Sequence, residues 1–187
     1  MTAKVLLTSI FIGMLTLAGC GNNDQQNAAG AKSTAASANT PAAPEVTTVV
    51  AEDKIQLIGA DVLAAAQRTG DTCSLDSVDG NYSRNQVKLA EGKPHVFRGW
   101  LLDEAKHPAG QFSLVLKGAQ DFEILVSTGV VRTDVGEFFK DPTLGDAGFN
   151  FSSALASVKA GDYHVIYMTK NSEKTYFCDT GKTLTIE

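Results

Sequence analysis

From Val96 onward apolar side chains recur at every second position, and this period constrains the fold more than any other feature of the chain. "VFRGWLLD" (96–103) sets Val96, Arg98, Trp100 and Leu102 on one face of an extended strand, with Phe97, Gly99, Leu101 and Asp103 on the other. "QFSLVLKG" (111–118) alternates Phe112, Leu114 and Leu116 against Ser113, Val115 and Lys117, and "DFEILVSTG" (121–129) alternates Phe122, Ile124 and Val126 against Glu123, Leu125 and Ser127. Successive strand side chains point to opposite faces, so each segment buries one face and presents the other. "FNFSSAL", "GDYHVIYMT", "KTYFC" and "KTLTIE" continue the pattern to the C-terminus.

Turn signals separate these segments at Asp79-Gly80, Pro108-Ala109-Gly110, Lys117-Gly118, Ala160-Gly161-Asp162 and Thr180-Gly181. Many short strands at regular spacing predict an all-β fold, a sandwich or barrel of antiparallel strands. "IGADVLAAAQRTG" (58–70) is the one helical stretch, ending at Gly70, and "VTTVVA" (46–51) is β-prone. Cys73, Trp100 and Cys178 suggest an Ig-like sandwich in architecture. The spacing departs from a true immunoglobulin domain, because Trp100 lies far beyond Cys73 and no tyrosine stands two residues before Cys178.

Cys73 and Cys178 are the thiols that remain if Cys20 is modified. An even pair in an exported domain predicts one disulfide, joining the first core strand to the penultimate one. No Cys-x-x-Cys occurs and no histidine is close in sequence to either thiol, which argues against a redox or metal pair.

Residues 1–19 carry Lys4 and then a 15-residue run, VLLTSIFIGMLTLAG, short for a spanning helix and of signal-peptide length. The run ends at Leu17-Ala18-Gly19-Cys20, an aliphatic residue, two small ones and a cysteine. This resembles the bacterial lipobox, and residues 1–19 are identified as a lipoprotein signal peptide. The resemblance implies cleavage before Cys20 and its acylation by three chains, palmitate among the usual ones. One buried chain holds a protein only marginally, at about 0.8 kcal/mol per CH₂, whereas several make release negligible. Gly21 rather than aspartate after the cysteine resembles the pattern of lipoproteins sent to the outer membrane. Residues 20–45 would then be the lipidated cysteine and a disordered tether. Residues 21–45 contain no Val, Ile, Leu or aromatic side chain to offset ordering entropy. As a coil such a tether spans about 25–30 Å. Residues 46–187 form the expected β-sandwich domain.

The net charge of -5 argues against nucleic acid, which needs a basic footprint, and against a polybasic grip on anionic lipid. His95, His107 and His164 make no close ligand pair, and there is no nucleophile elbow, P-loop or dinucleotide fingerprint. "DSVDGNY" (76–82) misses the calcium-loop spacing and reads better as a hairpin turn at Asp79-Gly80. Asp103 and Glu104 are adjacent on a strand end and point apart. No catalytic residue, metal or cofactor is expected.

"VVRTDVGEFFKDPTLGDAGFNF" (130–151) is the longest stretch without alternation. Asp134 favours a helical turn through Phe139, and Arg132 paired with Asp134 would pin the segment as a clasp; these two are also the candidate binding residues. Phe138, Phe139, Phe149 and Phe151 offer either a glycan-binding face or core packing, the commoner fate of phenylalanine.

"CSLDSVDG", "FRGWLLDE", "VVRTDV", "DAGFNFSSALASVKAGDYHVIY" and "FCDTGKTLTIE" together are similar to a β-sandwich module of bacterial envelope and glycan-associated proteins, over roughly residues 73–187. The resemblance implies structural roles for Trp100, Arg132, Asp134 and Phe149. The function expected is that of an envelope lipoprotein, anchored in the outer membrane through Cys20, with a non-catalytic binding or assembly role. Its partners would be the lipid bilayer and either an envelope glycan or an envelope protein. The alternatives are a carbohydrate-binding module and a hydrolase of envelope polymers whose site is assembled only in the fold.

Overall fold

The computed structural model describes residues 49–50 (backbone only), 55–82 and 85–187, all within one compact unit, Pro44–Glu187. The signal peptide, Cys20 and the whole of the proposed tether therefore lie outside the described residues. In chain order the elements are β1 (Val49–Val50), β2 (Gln56–Ile58), α1 (Ala60–Ala65), β3 (Gln67–Arg68), β4 (Cys73–Val78), β5 (Gln86–Leu89), β6 (His95–Leu101), β7 (Gln111–Lys117), β8 (Asp121–Ser127), α2 (Thr133–Phe139), a 3₁₀ turn (Pro142–Asp146), β9 (Gly148–Ser153), β10 (Gly161–Lys170) and β11 (Thr175–Ile186).

The strands form two sheets. One runs β1-β9-β6-β4; the other runs β2-β8-β7-β10-β11, with β3 and β5 side by side along the far edge of β11. The central pairings are antiparallel, but β1 on β9 and β3 and β5 on β11 are parallel, a correction to the purely antiparallel expectation. The inward faces are those the alternation marks. Phe97 and Leu101 of β6 and Leu75 of β4 share one buried cluster with Phe112, Leu114 and Leu116 of β7 and Phe122, Ile124 and Val126 of β8. Aromatic rings bind the sheets across this core: Phe149 of β9 lies 5.3 Å from Phe112 and 5.5 Å from Tyr167 of β10. Such pairs contribute about 0.5–1.5 kcal/mol each beyond the area they bury. Cys73 and Cys178 form the expected disulfide.

Four local expectations are corrected. The disulfide reaches the last strand, not the penultimate one, because "KTYFC" and "KTLTIE" are a single strand, β11. Thr180-Gly181 is a bulge within it: Val165 pairs with Lys182 and Ile166 with Asp179. Gly181 takes the left-handed conformation such a bulge needs, with φ 66°. The helix expected over 58–70 is only Ala60–Ala65, since Ala66 is already extended and Gln67 and Arg68 pair with β11. Tertiary pairing overrides helix propensity here. Among the described residues there are two short helices rather than one, the second, α2, forming where a helical turn from Asp134 through Phe139 was expected. Phe149 and Phe151 lie in the core, so the glycan-face option fails for both. The Asp79-Gly80 turn is as expected: both residues have positive φ, 53° and 72°, the requirement of a type I′ turn.

Outside the main core each sheet has a smaller apolar cover. Val115, Ile166 and Met168 are capped by Ile58, Leu63 and Phe177. On the outer face of the four-stranded sheet, Leu102 gathers Val135, Leu144 and Ala147, with Trp100 and Phe139 packed alongside. This second cover is the clasp expected at 130–151.

Candidate functional site

The outer face of the four-stranded sheet carries the polar chemistry. Its geometry begins with a bulge in β4: the pairing with β6 shifts between Leu75 and Ser77, leaving Asp76 out of the ladder. One Asp76 carboxylate oxygen accepts from the Ser74 hydroxyl at 2.7 Å and the other from Arg132 Nη1 at 2.5 Å. Arg132 stands at the start of α2, held by its own N–H donating to Gly145 O at 2.6 Å. Its Nε and Nη2 donate to the two oxygens of Asp134 at 2.8 and 2.7 Å, the two-pronged geometry that suits guanidinium and carboxylate. The structure thus forms the expected pair and adds a partner, Asp76, 56 residues earlier in the chain. The hydrogen bond to Arg132 holds the Asp134 carboxyl below its ordinary range. Asp134 raises the Arg132 pKa in turn; burial opposes this and Asp76 adds to it.

Close backbone approach makes the clasp possible. A Cβ at Gly148 would fall 2.4 Å from Val130 O and 2.6 Å from Arg132 Cγ, so only glycine admits the clasp strand at that point. Gly99 likewise accommodates the Phe149 ring, whose Cζ would stand 2.6 Å from a Cβ there. Beyond the bridge the clasp is sealed by Trp100, edge-on to Phe139 at 5.8 Å.

Next to the clasp the same face opens into a cleft of about 650 Å³, with Ser74, Asp76, Tyr82 and Arg132 on its walls. Three residues in register, one per strand, line it as well: Ser77 of β4 opposite Arg98 of β6, and Arg98 opposite Asn150 of β9. Ser77 is 2% exposed, and neither its Oγ nor Asn150 Oδ1 has a hydrogen-bond partner among the described residues. Arg98 is exposed and takes part in none of the ion pairs formed among the described residues. The Tyr167 hydroxyl, wholly buried in the core, also lacks a partner among the described residues; burial, and secondarily the charge of Asp76, push its pKa well up.

The other sequence candidates are not brought together. His95 is buried with its ring nitrogens facing the Asp79 carboxylate at 2.6 Å and the Ala90 carbonyl at 2.9 Å. Burial works to raise the Asp79 pKa, but the bonds from His95 and the Val96 N–H outweigh it and hold the carboxyl low. His164 meets Asp179 at 2.7 Å and His107 lies 3.7 Å from Asp103. Among the described residues no group of three or more His, Cys, Asp or Glu side chains is placed to hold a metal ion. Asp103 and Glu104 have separate partners, the His107 N–H and the Asn171 amide. Phe138 is 78% exposed, whereas Phe139 is packed on Trp100. Sequence reasoning placed Arg98 on the same strand face as Trp100, which the structure turns outward. It passed over Asp76, Ser77 and Asn150, whose juxtaposition depends on a bulge and on strand order.

No protein-family model matches the chain, and no curated protein matches it. Among solved structures it is similar to an endo-β-1,4-mannanase from Thermotoga petrophila, at 11% identity and a TM-score of 0.36 over 64% of this chain and 20% of that one. The chain thus spans about a fifth of that enzyme's length. A likeness this slight says nothing of this chain's activity.

Proposed function

We propose that this protein is an outer-membrane-anchored lipoprotein of the bacterial envelope whose β-domain is an Ig-like sandwich that acts by binding, not by catalysis. The anchor rests on Leu17-Ala18-Gly19-Cys20. The observation that carries the binding role is the cleft beside the clasp, where the unpartnered polar atoms of Ser77 and Asn150 lie in a three-strand rung that also holds an unpaired arginine. Unsatisfied buried polar atoms cost about 1–3 kcal/mol each, and a ligand that completes them recovers that cost on binding.

Strand order supports the Ig-like reading. With β4, β6 and β9 as strands A, B and E, and β8, β7, β10 and β11 as C′, C, F and G, each sheet has the immunoglobulin neighbours. A tyrosine corner supports it too: Tyr163, at the start of β10, donates its hydroxyl to Lys159 O at 2.8 Å. The disulfide departs from the immunoglobulin plan, linking the first and last of these strands rather than B and F. Trp100 packs on the clasp instead of on the disulfide.

A second reading, docking to an envelope protein, is favoured by Val131 and Phe138, which the clasp leaves 67% and 78% exposed.

Two measurements on the full chain test the proposal. Palmitate labelling and membrane retention should be lost with Cys20→Ser; unchanged labelling contradicts the anchor. Incubated with isolated envelope polymer, the wild-type protein should co-sediment and release no soluble fragments. Released fragments would establish the hydrolase alternative.

A further inference from the structure

We infer that the rung of Ser77, Arg98 and Asn150 is the binding floor for an acidic saccharide, a sugar that carries a carboxylate among its hydroxyls. This rests on the binding reading above and names its ligand class.

The floor is the face of a sheet, not its edge. The central strand β6 is paired on both edges, with β4 and with β9. A guest lying across the rung therefore meets side chains and is read by them, not by adding as a strand as an extended peptide does at a free edge. The side chains present suit a polyol. Ser77 Oγ both donates and accepts, and Asn150 Oδ1 accepts. Their strands flank β6 and stand about 9–10 Å apart, two inter-strand spacings, so hydroxyls of two neighbouring rings can reach both. Tyr82, 68% exposed on the cleft wall, supplies an aromatic face for the apolar side of a sugar ring.

The charge comes from Arg98. Two other cations line the cleft: Arg132 is already committed to Asp76 and Asp134, and Lys182 is likewise engaged. Arg98 is the cation of this rung without a carboxylate, and its planar fork matches a carboxylate in two-pronged geometry. On a chain of net charge -5 one free guanidinium does not recruit a long polyanion. It selects a single carboxylate delivered by a ligand that the Ser77 and Asn150 contacts hold in register.

The test is calorimetric titration of the full chain in detergent with a hexuronic-acid oligosaccharide and with the neutral hexose oligomer of the same linkage. The wild type should bind the acidic oligomer at least tenfold more tightly than the neutral one. Arg98→Gln should abolish that difference, Arg98→Lys should restore part of it, and Ser77→Ala or Asn150→Ala should weaken both ligands several-fold. Acetate at the same concentration should not displace the oligomer. Equal affinity for the two oligomers, a silent Arg98→Gln, or displacement by acetate each overturns the acidic-saccharide assignment and leaves the binding reading standing. Binding of neither oligomer, with envelope polymer still retained in the sedimentation assay, overturns the saccharide class alone. Loss of both assays overturns the two readings together.

Discussion

The two ends of the four-stranded sheet's outer face are built from the same three strands and finished in opposite ways. At one end the rung Ser74, Trp100 and Gly148 is sealed. Trp100 meets Phe139, Arg132 runs over Gly148, and the Arg132 guanidinium satisfies two carboxylates. At the other end the rung Ser77, Arg98 and Asn150 keeps a cation and two polar atoms without partners among the described residues. Strand pairing cannot account for the difference, since both rungs are in good register. It lies in what the 130–151 segment covers. Natural folds pair their buried polar groups, and where they leave them unpaired the exception marks a site.

The contrast assigns stability to the sealed end and recognition to the open one, and substitutions can break it. The largest effect belongs to the disulfide. Cys73 stands opposite Leu101, beside the sealed rung, and its bond to Cys178 closes a loop of 105 residues. In the chain-entropy model a loop of that length is worth about 4–5 kcal/mol. The double variant Cys73→Ala with Cys178→Ala should lose about that much in chemical unfolding; a loss under about 1 kcal/mol would mean the unfolded chain is not constrained by the link.

Trp100→Ala should cost about 3 kcal/mol, the lower end for a large aromatic because Trp100 is only partly buried. The measurement is the unfolding midpoint. An unchanged midpoint would show that the clasp is not packed on the sheet.

Arg132→Ala should cost about 2 kcal/mol. That lies between the 3–5 kcal/mol of breaking a fully buried pair and the 0–1 kcal/mol of an exposed one, since the Arg132 side chain is 24% exposed. Acid should act on the same bridge more gently. Asp134 and Asp79 both have folded-state pKa values lowered from 3.8, so the stability they supply is fully present above the unfolded carboxylate value. It is lost as pH falls through their folded values. Thermal unfolding should be level from about pH 7 to pH 5 and decline below about pH 4, and Asp134→Asn should make that decline shallower. A midpoint that falls between pH 7 and pH 5 would contradict this.

The sequence carried the inward faces of β6, β7 and β8 because a buried face imposes a period of two that survives without knowing the partner strand. The disulfide was legible by elimination among few cysteines, and the Asp79-Gly80 turn by the conformational demand of its residues. The bulge at Asp76 was not legible, because a bulge is a relation between two strands and Asp76 looks like any alternating polar position. Nor was the third member of the Arg132 bridge, which arrives from a strand 56 residues away. β3 and β5 are too short to show a period, and pairing with β11 makes them strands. The open rung failed for the same reason as the bulge: Ser77, Arg98 and Asn150 are unremarkable one by one and meet only through strand order.

The most direct measurement is to follow thermal unfolding and acidic-oligosaccharide titration side by side for Arg98→Gln and Arg132→Gln in the full chain. If the open rung recognises and the sealed rung stabilises, Arg98→Gln unfolds within about 0.5 kcal/mol of wild type, as exposed substitutions do, yet loses at least tenfold in affinity, while Arg132→Gln unfolds at a clearly lower temperature. Arg98→Gln that destabilises the fold while its affinity for the oligosaccharide is unchanged would contradict the account.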